Sequence, residues 1–126
     1  MTYVKLSRRE EEVMEVIWNG KKVFAKNIID SYQDPKPADT TISTLLKRMY
    51  NKGFINYKQK GNSREYFALV KKEDYFSNEI KKMIAQSFNN SVSEFIQFFT
   101  KTSQLSITEL EKIKKIIENE IIQKNK

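Results

Sequence analysis

The sequence predicts a mainly α-helical protein, in which three helices and a small β-hairpin sheet come first and a helical region follows. Three observations lead to this prediction. Apolar residues recur at helical spacing over 42–49. Two strand-like runs, 54–57 and 66–69, then flank a turn that contains glycine and asparagine. From residue 72 onward the apolar residues return to helical spacing.

Composition sets the limits on function. The chain has 126 residues, of which 39% are hydrophobic and 31% charged, as is typical of an ordinary globular protein. Cysteine and histidine are both absent. Disulfides and thiolate chemistry are therefore excluded, and a zinc or copper site or a nucleophile–histidine pair lacks its usual groups. We expect no enzyme activity, no cofactor and no metal.

Hydropathy argues against a membrane protein. No apolar run approaches the roughly 18 residues that a membrane span needs, and the start of the sequence carries no signal-peptide pattern. We therefore expect a cytoplasmic protein without membrane insertion.

The net charge of +7 is unevenly distributed. Residues 1–70 contain 13 Lys and Arg against 8 Asp and Glu, whereas residues 71–126 contain 10 against 8. This imbalance indicates an electrostatic partner on one side of the molecule. Nucleic acid fits best, and a membrane surface is the weaker alternative because the basic residues belong to elements with a core face of their own.

The first predicted helix begins after Ser7. Glu10, three residues later, completes a capping box, and an apolar stripe runs over 13–18. The helix is expected to end at Gly20, with glycine in the left-handed conformation. We assign a structural role to the acidic residues of its early turns, where the helix dipole favours them: Glu10, Glu11, Glu12 and Glu15.

A helix-turn-helix follows. Residues 23–24 form a predicted strand, and a second helix is expected over 25–33. A prolyl turn at 34–37 ends that helix. Asp39 or Thr40 then caps the third helix. Two helices joined in this way, the second with a polar outer face, are typical of a helix-turn-helix.

The third helix and the hairpin carry the predicted binding residues. Residues 40–64 contain six basic residues and no acidic one. A polar-faced helix followed by a basic hairpin is typical of a winged helix that binds DNA, with the helix in the major groove and the hairpin over phosphate. Ordinary capping and solvated surface are the alternative. The predicted contacts are Thr40, Thr41, Ser43, Thr44, Lys47, Arg48, Lys58, Lys60 and Arg64.

The helical region from residue 72 needs a partner for its apolar faces. The preceding winged helix closes its own core, so a second copy of the chain is the simplest partner, and a palindromic site requires a two-fold dimer. The sequence thus predicts a DNA-binding domain over 1–71 and a dimerisation domain over 72–126. An effector pocket among the phenylalanines is the alternative. The predicted interface residues are Phe76, Ile80, Ile84, Phe95, Ile96, Phe99, Leu110, Ile113 and Ile117.

The ordered motifs resemble one family of bacterial repressors. Leu6-Ser7 with Glu10 and the apolar stripe to Trp18 is similar to the family's opening helix. Thr41 to Met49 with Lys52-Gly53-Phe54-Ile55 is similar to its recognition helix, and Arg64-Glu65-Tyr66-Phe67 to its wing. The chain thereby resembles the BlaI/MecI/CopY group of penicillinase repressors over nearly its whole length.

This resemblance implies a homodimeric transcriptional repressor that binds double-stranded operator DNA with paired winged helices. In the best-known members a membrane-bound β-lactam sensor protease cuts the repressor between Asn and Phe. That bond would fall here at Phe98–Phe99. β-Lactam-linked members tend to carry Lys and Arg at the positions of Thr40 and Ser43. The cysteine pairs of the copper-sensing members are absent.

Two other interpretations remain open on the residues alone. One is a winged helix used for protein–protein assembly, in which the face from Thr40 to Lys47 contacts a protein. The other is a regulator of another winged-helix family, PadR-like or MarR-like, whose members also dimerise through added helices.

Overall fold

The computed structural model describes residues 4–126. It contains six helices and three short strands within this range. In chain order they are α1 (Arg8–Gly20), β1 (Val23–Phe24), α2 (Ala25–Asp30), α3 (Asp39–Asn51), β2 (Ile55–Lys60), β3 (Ser63–Ala68), α4 (Lys72–Ser87), α5 (Val92–Thr102) and α6 (Ile107–Lys124). The mainly helical winged helix-turn-helix that the sequence predicts is confirmed.

The chain divides within α4 into two compact units, one ending at Ile80 and the other spanning Lys81–Lys126. The division of function between residues 71 and 72 stays a prediction.

Helix α1 begins as its sequence predicts. The Ser7 backbone N–H donates to Glu10 Oε1 at 2.8 Å, and the Glu10 N–H donates to Ser7 Oγ at 3.2 Å, which is a complete capping box. The helix ends at Gly20 as predicted, but the expected positive φ is found at the next residue, Lys21, with φ of 66°. Gly20 is instead required for space: a Cβ there would lie 2.5 Å from Val23 Cγ1.

The helix-turn-helix differs from its prediction at the C-terminal end of α2 and at the N-terminal end of α3. Helix α2 stops at Asp30 instead of Gln33, and the Ser31 hydroxyl donates to the Ile28 carbonyl at 2.6 Å, a local bond that competes with helix continuation. The N-cap of α3 is Ala38 without a side-chain bond, so neither Asp39 nor Thr40 caps it. Asp39 is the first helical residue, where its charge still favours the helix dipole.

The three strands form one antiparallel sheet in the order β1-β3-β2. Strands β2 and β3 pair from Ile55 with Ala68 to Lys60 with Ser63. The two remaining residues, Gly61 and Asn62, form the predicted turn, and Gly61 has the left-handed φ of 61° that glycine adopts without strain. This hairpin is called the wing below.

The core of the first unit ties α1 to the start of α4. Tyr75 is fully buried, its hydroxyl accepts from the Leu6 N–H at 3.0 Å, and it donates to Glu11 Oε2 at 2.8 Å. Burial, with a further contribution from Glu11, raises the pKa of Tyr75 above its usual range. The Trp18 indole N–H donates to the Val70 carbonyl at 2.8 Å, so Trp18 anchors this packing.

The second unit buries very little. Between Lys81 and Lys126, Ile84 is the one buried side chain, and it is still 7% exposed. Phe88 contacts Phe95 and Phe98 with ring centroids 5.4 and 5.3 Å apart. None of the helices described over residues 4–126 has the length and apolar character that crossing a membrane requires.

Candidate nucleic-acid interface

Helix α3 has one buried face and one exposed polar face. Ile42, Leu45, Leu46 and Met49 are buried in the core. The helical period therefore turns the remaining positions outward. Of the predicted contacts on this helix, Thr41 is half-buried, and the others are exposed: Thr40, Ser43, Thr44, Lys47 and Arg48.

The hydroxyl group of Thr44 is already committed within the helix. Its Oγ1 donates to the Thr40 carbonyl at 2.9 Å. The single hydroxyl hydrogen is used in this bond, so Thr44 offers an acceptor oxygen and a methyl group to a partner. In a DNA major groove an acceptor matches the amino group of adenine or cytosine, and a methyl group packs on thymine.

The wing divides the three predicted cations between its two faces. Residues paired across the strands share a face, and faces alternate along each strand. Gln59 pairs with Arg64, on the same face as Tyr57, whereas Lys58 pairs with Glu65 on the opposite face. Lys60 shares that opposite face. The Arg64 guanidinium lies 4.3 Å from the Tyr57 ring centroid, a cation–π contact that holds it in place.

A groove of about 870 Å³ lies between α3 and the wing, and we call it the wing-side groove. Its cations are Lys26, Lys47 and Arg64, and no carboxylate lines it. Tyr50 and Tyr57 form part of its wall, with ring centroids 5.6 Å apart. A groove with positive charge and aromatic surface is suited to a phosphodiester strand.

A second hollow, of about 350 Å³, lies on the α1 side of α3, and we call it the α1-side hollow. Its lining combines two guanidinium groups with three hydroxyls: Arg9, Thr40, Thr41, Thr44, Leu45 and Arg48. Arg9 and Lys26 were missing from the predicted contacts. They lie outside the recognition helix and wing, and only the fold brings them beside α3.

Lys52, in contrast, has a structural role. Its Nζ donates to both carboxylate oxygens of Glu10, at 2.8 and 3.0 Å, and Glu10 is only 1% exposed. Burial acts to raise the pKa of Glu10. The bonds from Lys52 and Ser7 outweigh that effect, so the pKa lies below its ordinary value of 4.5. The structural interpretation of Glu10 is thus supported by a named partner.

The remaining basic residues of the interface carry free charge. In the range 4–126, ion pairs join Lys36 with Asp30, Lys52 with Glu10, and Lys72 with Glu15. None of the nine predicted contacts takes part in them. Throughout this same range, no cluster of acidic side chains is arranged to hold a metal ion. The exposed hydroxyls and positively charged side chains of α3 and the wing are therefore suited to bind an anionic partner.

The predicted interface residues of the second half differ in exposure. Ile84 is already buried, whereas Phe76, Ile80, Phe99, Leu110 and Ile117 are 37% to 48% exposed. Phe95, Ile96 and Ile113 are half-buried. Phe76 also packs on Trp18, with ring centroids 5.9 Å apart. Phe98 and Phe99 both lie inside α5, so the peptide bond between them is part of a helix.

Comparison with known proteins connects this geometry to a function. A model of the penicillinase repressor family matches residues 6–119. The methicillin resistance regulatory protein MecI of Staphylococcus aureus (strain N315) is 32% identical over 114 residues, which are 90% of this chain and 93% of that protein. The penicillinase repressor of Staphylococcus aureus is 30% identical over 122 residues, 96% of each chain.

A solved structure matches as well. The solution structure of the DNA binding domain of the repressor BlaI aligns with a TM-score of 0.51 and 28% sequence identity. The alignment covers 60% of this chain and 94% of that domain.

Proposed function

The chain belongs to the penicillinase repressor family, and on that premise we propose how this DNA-binding transcriptional repressor acts: as a homodimer on a palindromic operator. The observation that carries the proposal is the exposed polar face of α3, whose Ser43, Thr44 and Lys47 lie opposite a fully buried apolar face. A helix presented in this way enters the major groove with its polar residues toward the base edges.

The division of labour follows from the chemistry of each group. Thr40, Ser43 and Thr44 read base edges. Lys47, Arg48 and Arg64 contact phosphate, which positions the helix without reading sequence. Lys58 and Lys60, on the outer face of the wing, add phosphate contacts near its tip.

The exposed apolar surface of α5 and α6 supports the homodimer. With Ile84 as the one buried side chain from Lys81 onward, this segment lacks a closed core of its own. Covering Phe99, Leu110 and Ile117 with the same surface of a second copy supplies one, and a stable interface buries about 800 Å² per partner. Two paired winged helices then match two half-sites of one operator.

Release of the operator by a sensor protease is part of the same proposal. The bond between Phe98 and Phe99 lies within α5, and the Phe98 carbonyl accepts from the Thr102 hydroxyl at 2.7 Å. A protease acts on a locally opened chain, so a cut there requires α5 to unwind first. Incubation with a co-expressed sensor protease and mass measurement of the fragments tests this step; intact protein after prolonged incubation contradicts it.

The operator proposal is tested by selection from genomic fragments followed by fluorescence polarisation with the selected and a random duplex. We expect the selected duplex to bind at least roughly 10³-fold more tightly, with strong salt dependence. Equal affinity for both duplexes contradicts the proposal. Charge reversal of Lys58 and Lys60 separates DNA binding from protein assembly, because unchanged repression by that variant favours assembly.

A further inference from the structure

We propose that Arg9 of α1 is a phosphate-contact residue on the side of α3 away from the wing. With this contact, the repressor binds the phosphate backbones of both DNA strands that border the major groove. The inference rests on the proposed function and extends it to a residue outside the recognition helix and the wing.

The two hollows lie on different sides of α3. The wing-side groove is lined by Ser43, Leu46, Lys47, Tyr50 and Asn51 of this helix, and the α1-side hollow by Thr40, Thr41, Thr44, Leu45 and Arg48. The two sets share no residue. At roughly 100° per residue their centres lie about 120° apart around the helix.

The width of the DNA major groove matches the diameter of an α-helix. The major groove is about 12 Å wide, and an α-helix with its side chains is about 10–12 Å across. A helix that enters this groove therefore has a phosphate backbone on each side. With Ser43 and Thr44 toward the bases, the wing-side groove faces one backbone and the α1-side hollow faces the other.

The side chains that line the α1-side hollow give it positive charge. Arg9 and Arg48 supply two guanidinium groups to the α1-side hollow, and Thr40, Thr41 and Thr44 supply hydroxyls. Guanidinium groups bind phosphate oxygens through two parallel N–H bonds, and the hydroxyl of Thr41 also donates to phosphate, whereas the hydroxyl hydrogen of Thr44 is already used on the Thr40 carbonyl. Of the residues that the structure describes, no Asp or Glu lines this hollow.

Arg9 has no ion-pair partner among the described residues. Three of the four acidic residues of α1 are engaged elsewhere: Glu10 with Lys52, Glu11 with Tyr75 and Glu15 with Lys72. The fourth is Glu12, one turn beyond Arg9. Arg9 itself is exposed and enters no ion pair anywhere in the described residues 4–126.

Arg8 provides a matched control for the test. It is also an exposed arginine in the first turn of α1, where the helix dipole disfavours both cations alike. It differs in one respect, since Arg8 does not line the α1-side hollow. Any effect of general positive charge will appear in both alanine variants, whereas a specific phosphate contact will appear only at Arg9.

The experiment measures binding of the full chain to the selected duplex and to a random duplex by fluorescence polarisation between about 50 and 200 mM salt. For Arg9→Ala we expect the log–log salt slope to become shallower by roughly 0.9 on both duplexes, with affinity falling several-fold on each. Arg9→Lys should keep the slope of the unmodified protein, because it keeps the charge. Arg8→Ala should leave both slope and affinity unchanged.

An unchanged slope for Arg9→Ala overturns the inference, and so does an equal reduction for Arg8→Ala. Because the random duplex also reports the slope, Arg9 is judged even if the protein prefers no sequence. Absence of sequence preference would count against the proposed function alone. Circular dichroism and thermal unfolding of each variant confirm that these exposed substitutions leave the fold intact.

Discussion

At the scale of single residues, DNA binding depends on which groups are already engaged inside the protein and which are left for DNA. Thr44 illustrates the distinction. Its hydroxyl hydrogen is used on the Thr40 carbonyl, at 2.9 Å, and its oxygen and methyl group remain available. Lys52 illustrates the opposite case, because its ammonium group is bound to the buried carboxylate of Glu10.

Thr44→Val and Thr44→Ser separate the two remaining functions of Thr44. Valine keeps a methyl group and removes the acceptor oxygen, whereas serine keeps the oxygen and removes the methyl. We expect at least one of them to weaken binding to the selected operator by about 1–3 kcal/mol while binding to random duplex is unchanged. An equal loss on both duplexes in a polarisation assay would show that Thr44 does not read bases.

Glu10→Gln tests the buried ion pair and its pH dependence. Removing one partner of this pair is expected to lower the free energy of unfolding by about 2–4 kcal/mol at pH 7. The folded pKa of Glu10 is lowered from 4.5, so the carboxylate stabilises the fold above that pH and ceases to do so as pH falls through the folded value.

Urea denaturation at several pH values measures the difference between Glu10→Gln and the unmodified protein. The difference should be constant above about pH 5.5 and shrink at lower pH. Glu12→Gln is the matched control, since Glu12 is exposed. A difference that grows on acidification would contradict the assignment.

The residue-scale features that sequence predicts are the local ones. The Ser7 and Glu10 capping box lies within one helical turn, so its spacing is visible in the chain. The contacts of Tyr75 with Leu6 and of Lys52 with Glu10 join residues 69 and 42 positions apart. Only the tertiary fold places such pairs together, and for the same reason Arg9 was missed as a neighbour of Arg48.

At the scale of elements, the periodic helices and the hairpin were predictable, and their ends were less so. The alternation and the Gly61-Asn62 turn determine the wing and its register. The end of α2 depends on the bond from the Ser31 hydroxyl to Ile28, and the start of α3 on an Ala38 cap without a side-chain bond. Neither feature has a strong sequence signal.

Gly20→Ala tests the junction between α1 and β1. Alanine normally stabilises a helical position relative to glycine by about 1 kcal/mol. Here the added Cβ would lie 2.5 Å from Val23 Cγ1, so we expect a loss of about 1–3 kcal/mol in the free energy of unfolding. Asn19→Ala, at the exposed preceding position, should change it by less than about 0.5 kcal/mol. Stabilisation by Gly20→Ala in thermal unfolding would refute the close contact.

At the scale of the whole molecule, the proposed binding to a palindromic operator requires two copies of the chain. The first unit has a core and an exposed cationic interface, and the second has exposed apolar residues that outnumber its one buried side chain. The charge imbalance between the two halves of the sequence is consistent with that division of roles.

Ile117→Glu tests the proposed dimer surface on α6. Ile117 is 47% exposed in one copy, so glutamate should leave the protomer folded while placing a charge in the interface between copies. We expect sedimentation equilibrium to show a shift from dimer toward the 15.0 kDa protomer. Asn119→Glu, on the opposite side of the same helix, should remain dimeric. Equal behaviour of the two variants would argue against this surface.

The most direct test of paired winged helices on one duplex is a hydroxyl-radical footprint of the full protein on its selected operator. We expect two protected regions related by a two-fold axis, with half-site centres separated by about 10 base pairs or a multiple of that spacing. A single protected region, or uniform protection along the duplex, would contradict it.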